Sequence, residues 1–148
     1  MKLWRLTRAP FVALDGAGAV AHGGRYSPPG VPVVSLASDA ALAVLIALRY
    51  LPDDRAQWPV DHVLGWTSVD AEPERAPGDE ASVRAAVADW LAQQRSLLMA
   101  VPSRVLPEGD VVLMNPCHRD AAHVPPLVTR AFDFARCLHT PPMQAFWR

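Results

Sequence analysis

Cysteine is nearly absent: Cys117 and Cys137 are the only two in 148 residues. Two thiols make no disulfide framework, so a hydrophobic core has to hold the fold, and a reducing, cytoplasmic setting is expected. Excess charge is absent as well. The net charge is −1, so nucleic acid is not expected as a direct partner. Long apolar runs are missing. The longest, Ala40–Leu48, falls well short of the roughly 20 residues that cross a bilayer. The start, Met1-Lys2-Leu3-Trp4-Arg5-Leu6, has no continuous apolar core of the kind a secretory signal needs. Zinc-ligand residue types do occur, at Cys117, His118, His123, Cys137 and His139. No C-x-x-C or H-x-x-x-H pair stands among them, so no metal is expected. There is no internal repeat and no second domain boundary. A single domain over residues 1–148 is the natural size for such a chain.

Proline, by contrast, is abundant, with fifteen residues. Pro28, Pro29, Pro52, Pro102, Pro107 and Pro116 fall where elements should end, which predicts short elements with stiff connections. Alternation or β-branched runs predict strands at Lys2–Leu6, Pro32–Leu36, Val60–Val69, Leu97–Val101 and Val111–Met114. Ala9–Val20 reads as a loop or a loose helical turn. A helix is expected over Ala40–Leu51, capped by Ser38 or Asp39 and apolar nearly all round, hence buried. Asp70–Asp79 reads as a polar loop. A second helix should run from Asp79 to about Arg95, with Val83, Val87, Trp90 and Leu91 inward and Arg84, Asp89 and Gln93 outward. Pro125–Ala131 reads as a short helix, and Phe132 with Phe134 as a last strand. Trp4, Trp66, Trp90 and Phe134 are the expected core aromatics. The pattern is α+β: a small mixed or antiparallel sheet flanked by helices.

The densest chemistry lies in His22-Gly23-Gly24-Arg25-Tyr26-Ser27-Pro28-Pro29-Gly30. Adjacent glycines let a backbone turn sharply beside a ligand. Arg25 offers a planar fork for phosphate or carboxylate. Tyr26 and Ser27 add a ring and two hydroxyls, and the prolines stiffen the exit. This is a workable nucleotide grip, and on its own it is equally a tight turn with an exposed arginine.

The order of segments says more. Leu3-Trp4-Arg5-Leu6, the GGRYSPPG loop, VPVVSLASDAALAVLIAL, Val101-Pro102-Ser103, Leu113-Met114-Asn115-Pro116 and RAFDFARCL follow one another along the chain. Over roughly Leu3 to Leu138 this resembles the RES-domain family, the toxin half of RES–Xre toxin–antitoxin modules. The resemblance implies a fold similar to ADP-ribosyltransferase toxins and an enzyme that consumes NAD. The acceptor of the ADP-ribose would be a protein, phosphate or water. It implies an Xre-type antitoxin as partner, and it places the Arg and Ser of the family's name at Arg25 and Ser103. It also exposes two departures. The family's glutamate position carries Ile46, and a tyrosine common in the preceding strand is Ser35 here.

Arg25, Tyr26 and Ser103 are accordingly the expected catalytic residues. Arg5, Arg25, Tyr26, Ser35, Ser38 and Ser103 are the expected NAD-binding set, Ser35 and Ser38 replacing hydrogen bonds lost with the missing tyrosine. Each has a plain structural alternative: a strand-edge charge for Arg5, a core ring for Tyr26, a turn hydroxyl for Ser103. His22 is a further candidate for phosphate or ribose. Asn115 is expected to hold an Asx turn, with His118 beside it. Asp15, Asp39 and Glu108 are the carboxylates nearest the motif segments in sequence. The rival reading is a degenerate RES fold that binds nucleotide or an Xre-type partner without turnover, and Ile46 is the residue that favours it. The apolar tail Pro141–Arg148, with Phe146 and Trp147, is expected to pack on the domain or on a partner.

Overall fold

The computed structural model describes residues 1–138. The tail Pro141–Arg148 and His139 lie outside the described residues. Seven strands form one sheet in the order β4-β5-β6-β2-β1-β3-β7. They are β1 (Lys2–Arg8), β2 (Val34–Ala37), β3 (His62–Ser68), β4 (Glu74–Arg75), β5 (Leu98–Pro102), β6 (Asp110–Met114) and β7 (Val128–Ala131). Among the described residues only β4–β5 is parallel; every other pair is antiparallel. The helices are α1 (Ala17–His22), α2 (Ala40–Leu48) and α3 (Glu80–Gln93). This is the α+β class that the sequence pattern predicts.

Alternation sorts most strand residues onto the two faces of the sheet, while Ala37 and Leu64 join Leu42 and Ala43 of α2 in a further cluster. Leu98, Ala100, Val112 and Met114 join Leu3, Val34 and Leu36 on one face. Met99, Val101 and Leu113 meet Val83, Val87 and Trp90 of α3 on the other. A strand buried on both faces reads as an unbroken apolar run, which is how Leu97–Val101 reads. Asp79 starts α3 as expected: its carboxylate accepts the Ser82 N–H at 2.9 Å. Trp90 is fully buried, and its indole N–H donates to the Ser96 carbonyl at 2.9 Å.

Several local expectations change. The helix expected to reach Leu51 ends at Leu48, and it is no core helix. Asp39 caps it, accepting the Leu42 N–H at 2.8 Å, but only Leu42 and Ala43 are buried. It lies as one layer over the sheet, so its outer side stays open and Leu45 is exposed. The Pro125–Ala131 segment is not a helix. Val128–Ala131 pairs with Val63–Trp66 and forms an edge strand, a partnership that local composition does not announce. The last strand through Phe134 is instead a 3₁₀ turn, Phe134–Cys137, because the Asp133 carboxylate takes the Ala135 N–H. Phe134 is still buried, edge-on to His62 at 4.8 Å and Phe132 at 5.1 Å between ring centroids. Trp4 and Trp66 sit opposite each other on β1 and β3 and are half-buried, with the Lys2 ammonium over both rings. The loose helical turn allowed for within Ala9–Val20 forms as α1, which runs on to His22, and the short strand β4 appears inside the Asp70–Asp79 stretch that reads as a loop.

One feature of the sheet makes room for a site. β1 and β3 pair along their whole length, but the register between β1 and β2 holds a single pair, Trp4 with Ala37. Beyond that pair the two central strands part, and a cleft opens between them.

Candidate functional site

The cleft has a volume of about 500 Å³. Arg5, Leu6 and Thr7 of β1 and Ser35, Leu36 and Ala37 of β2 form its floor. Ile46 and Ala47 of α2, with Arg49 and Tyr50 just beyond it, form one wall. His22 through Ser27 and Ser103 through Val105 supply the remaining rim. Of the expected residues, Arg5, Arg25, Tyr26, Ser35 and Ser103 come together here, as does His22. Ser38 does not. It lies beyond the cleft, and its hydroxyl oxygen accepts the Asp110 N–H at 3.0 Å, which ties α2's entry to β6.

Arg5 spans the split. One terminal nitrogen donates to the Ser35 carbonyl at 3.1 Å, where a strand ladder would otherwise run. Its Nε is enclosed and has no hydrogen-bond partner among the described residues. Burial pulls the guanidinium below the ordinary arginine value, and the nearby Asp15 offsets this only in part. Asp15 itself accepts the Ala17 N–H at 2.9 Å and does not line the cleft. A cation so placed fits an anion arriving from the cleft. Ser35 therefore serves Arg5 through its carbonyl, while its side chain faces the open cleft.

The glycine loop is built as a close turn. Gly23 has φ +71°, and its N–H closes α1 onto the Ala19 carbonyl at 2.7 Å. A Cβ there would meet the Pro29 ring at 2.9 Å. Gly24 differs: its φ is ordinary, and a Cβ would find only Ser27 Oγ at 3.7 Å. The turn delivers Arg25 to the rim, where its Nε donates to Glu80 Oε1 at 3.1 Å. Tyr26 both lines the cleft and packs under α3. Burial pushes its phenol up, so it stays protonated; Arg25 opposes this. Ser103 is buried just past β5, its oxygen accepting the Leu106 N–H at a long 3.4 Å, so its own proton is free to donate.

No carboxylate lines the cleft among the described residues. Asp39 is occupied as the cap of α2, and Glu108 is exposed in the turn before β6. Ile46 presents an apolar side chain where the resemblance expects an acid. Four arginines line it instead: Arg5, Arg25, Arg49 and Arg104. Sequence reasoning missed Arg49, Arg104 and Tyr50, and it missed Glu80, which stands behind the rim. For Arg104, adjacency to Ser103 was the available signal; Glu80 had none beyond opening a helix. Asn115 makes the expected Asx turn, accepting the Cys117 N–H at 3.0 Å, but it and His118 stand outside the cleft. Among the described residues no three His, Cys, Asp or Glu side chains gather as a metal site, and no helix is long and apolar enough to cross a membrane.

The RES-domain family profile matches residues 2–136. The chain belongs to the RES-domain family. Among curated proteins, this RES domain is 31% identical over 132 residues to a protein named Toxin Res from Photorhabdus laumondii, covering 81% of this chain and 85% of that one. It is 35% identical over 129 residues to the Prs ADP-ribosylating toxin of a Sphingobium species, covering 73% and 75%. Among solved structures, its fold is similar to one in the crystal structure of the M. tuberculosis MbcT–MbcA toxin–antitoxin complex. That match has TM-score 0.67 at 17% identity and covers 91% of this chain and 85% of that one.

Proposed function

We propose that this RES domain is the toxin of a toxin–antitoxin pair and that it cleaves the nicotinamide–ribose bond of NAD in the cleft. The ADP-ribose passes to a host protein or to phosphate or water, and an Xre-type antitoxin holds the toxin in check. The observation that carries the reading is the cleft itself: among the described residues it has four arginines and no carboxylate, and the half-buried Arg5 has an enclosed Nε without a partner. Such a site favours a ligand with more than one negative charge, and a diphosphate supplies it. The volume of about 500 Å³ lies within the range of about 300–1,000 Å³ usual for small-ligand sites. The relatives named as toxins, one of them ADP-ribosylating, support the same reading.

The bond to be broken joins the sugar C1′ to a positively charged ring. The bonding pair leaves with the ring, which departs neutral, while an acceptor's electron pair closes on C1′. A neutral leaving group needs no protonating acid, so a cleft without one is no obstacle. Arg5 and Arg25 hold the phosphates and fix the sugar's position, which is where a site of this kind gains most. Tyr26 offers a ring face for stacking and Ser103 a hydroxyl proton for the carboxamide or the ribose.

A second reading has an observation of its own. With Ile46 in the wall and no acid lining the cleft, the domain equally suits a module that binds a nucleotide without turnover. One experiment separates the two. Purified protein is incubated with NAD labelled in the adenylate half, with and without cell extract. Label transferred to a protein band, or free nicotinamide released, supports turnover. Tight NAD binding with neither product supports the module. Failure to bind NAD at all sinks the turnover reading and leaves the module with another nucleotide or its antitoxin as the partner.

A further inference from the structure

Three arginines converge on Glu80, the carboxylate that stands behind the rim. Arg25 Nε donates to Oε1 at 3.1 Å, and Arg84 reaches the same oxygen at 3.6 Å. Arg104 stands 3.3 Å from Oε2. Arg84 also donates from Nε to the Arg25 carbonyl at 3.1 Å, so Arg25 is held by side chain and backbone together. Arg25 belongs to the loop after α1, Arg104 to the loop after β5, and Glu80 to the first turn of α3. Both loops line the cleft, whereas Glu80 and Arg84 do not.

The arithmetic of charge is lopsided. One carboxylate faces three guanidiniums, so the rim keeps a positive excess. Glu80 engages Arg25 through Nε alone, which leaves the two terminal nitrogens of that fork without partners among the described residues. Although partial burial works against the charged form, Arg25, Arg104 and Arg84 together hold the Glu80 carboxyl below the ordinary glutamate range. It is ionised at neutral pH.

We infer that Glu80 is a positioning residue: it draws Arg25 and Arg104 together from two loops and presents them as a pair to one phosphate group at the mouth of the cleft. The inference rests on the reading of the cleft as a diphosphate site. It assigns a role in ligand binding to a helix that never touches the ligand.

A sign test separates positioning from plain electrostatics. Glu80→Gln removes a negative charge beside the anion. If charge alone mattered, binding of an anion would tighten. If Glu80 positions the pair, binding weakens, because the arginine fork is free to swing. The measurement is titration calorimetry of the full chain with inorganic pyrophosphate, beside KM and kcat for NAD. Glu80→Gln is expected to weaken pyrophosphate binding about tenfold, the value of one charge-assisted hydrogen bond. KM for NAD rises by a similar factor while kcat changes little. Glu80→Asp keeps the charge but shortens the reach. It weakens pyrophosphate binding by a smaller factor, and its thermal midpoint serves as the folding control for both variants. Unchanged or tighter pyrophosphate binding in a folded Glu80→Gln protein overturns the inference, as does a wild-type protein that does not bind pyrophosphate. If pyrophosphate responds as expected but NAD is neither bound nor cleaved, the clamp stands and the NAD reading falls.

Discussion

The floor and the rim of the cleft both present arginine, and they do so under different physical terms. Arg5 at the floor is enclosed, bonded to a carbonyl and lacking an ion-paired carboxylate among the described residues. Arg25 and Arg104 at the rim are partly exposed and share Glu80. A charge at the floor is costly to desolvate, and the Ser35 carbonyl and Asp15 offset that only in part. A charge at the rim is cheap to keep, so the fold spends a carboxylate on orienting it. The difference teaches that the floor should govern how tightly the ligand is held and the rim how it is aimed.

The sharpest test of that division is Arg5→Met. It should lower kcat/KM for NAD by about two orders of magnitude, the scale for removing one buried charged partner. It should change the thermal midpoint little, because a half-buried cation held by one carbonyl and only partly offset by Asp15 is replaced by an apolar side chain of similar length. A large loss of stability with modest loss of turnover would make Arg5 a structural strut and erase the contrast. Arg25→Ala comes next. Losing a charge-assisted hydrogen bond at the rim should cost about 1.5–3 kcal/mol in kcat/KM, read by steady-state kinetics, with the thermal midpoint close to wild type.

The loop that carries Arg25 offers a smaller contrast of its own. Gly23→Ala forces a side chain into φ +71° and against Pro29, and should cost about 1–3 kcal/mol in denaturant unfolding. Gly24→Ala meets only open space beside Ser27 and should change stability by no more than about 0.5 kcal/mol.

Acid supplies the smallest effect. The Glu80 carboxyl is held below the ordinary value of 4.5, so its ion pairs contribute fully above that pH and fade as pH falls through the lower folded value. The difference in thermal midpoint between wild type and Glu80→Gln should therefore be constant from pH 8 to pH 5 and shrink only in stronger acid. A difference that already shrinks near neutrality would mean the carboxylate is not held by its arginines.

Much of the scaffold was legible because it rests on local rules. Asp79 and Asp39 cap the helices they precede, the inward stripe of α3 is Val83, Val87 and Trp90, and the apolar runs at 97–101 and 111–114 are buried strands. The glycine-arginine loop was visible because its residue types sit side by side. Other features depend on partners far away in sequence. Val128–Ala131 became a strand by pairing with β3, and Ser38 left the site by bonding Asp110. α2 proved half open because only one layer lies beneath it.

By itself the sequence determined the α+β class, the capped helices, the two-faced strands and the presence of Arg5, Arg25, Tyr26 and Ser103 in the family's order. Those follow from periodicity, capping chemistry and side-chain type, which act over a few residues. Only the tertiary structure decided that β1 and β2 part after a single pair, that Arg5 bridges the gap, and that Glu80 gathers arginines 55 and 24 residues away in sequence and one on its own helix. Charge acts through space with a strength set by distance and burial, and neither quantity is written in the order of residues along a chain.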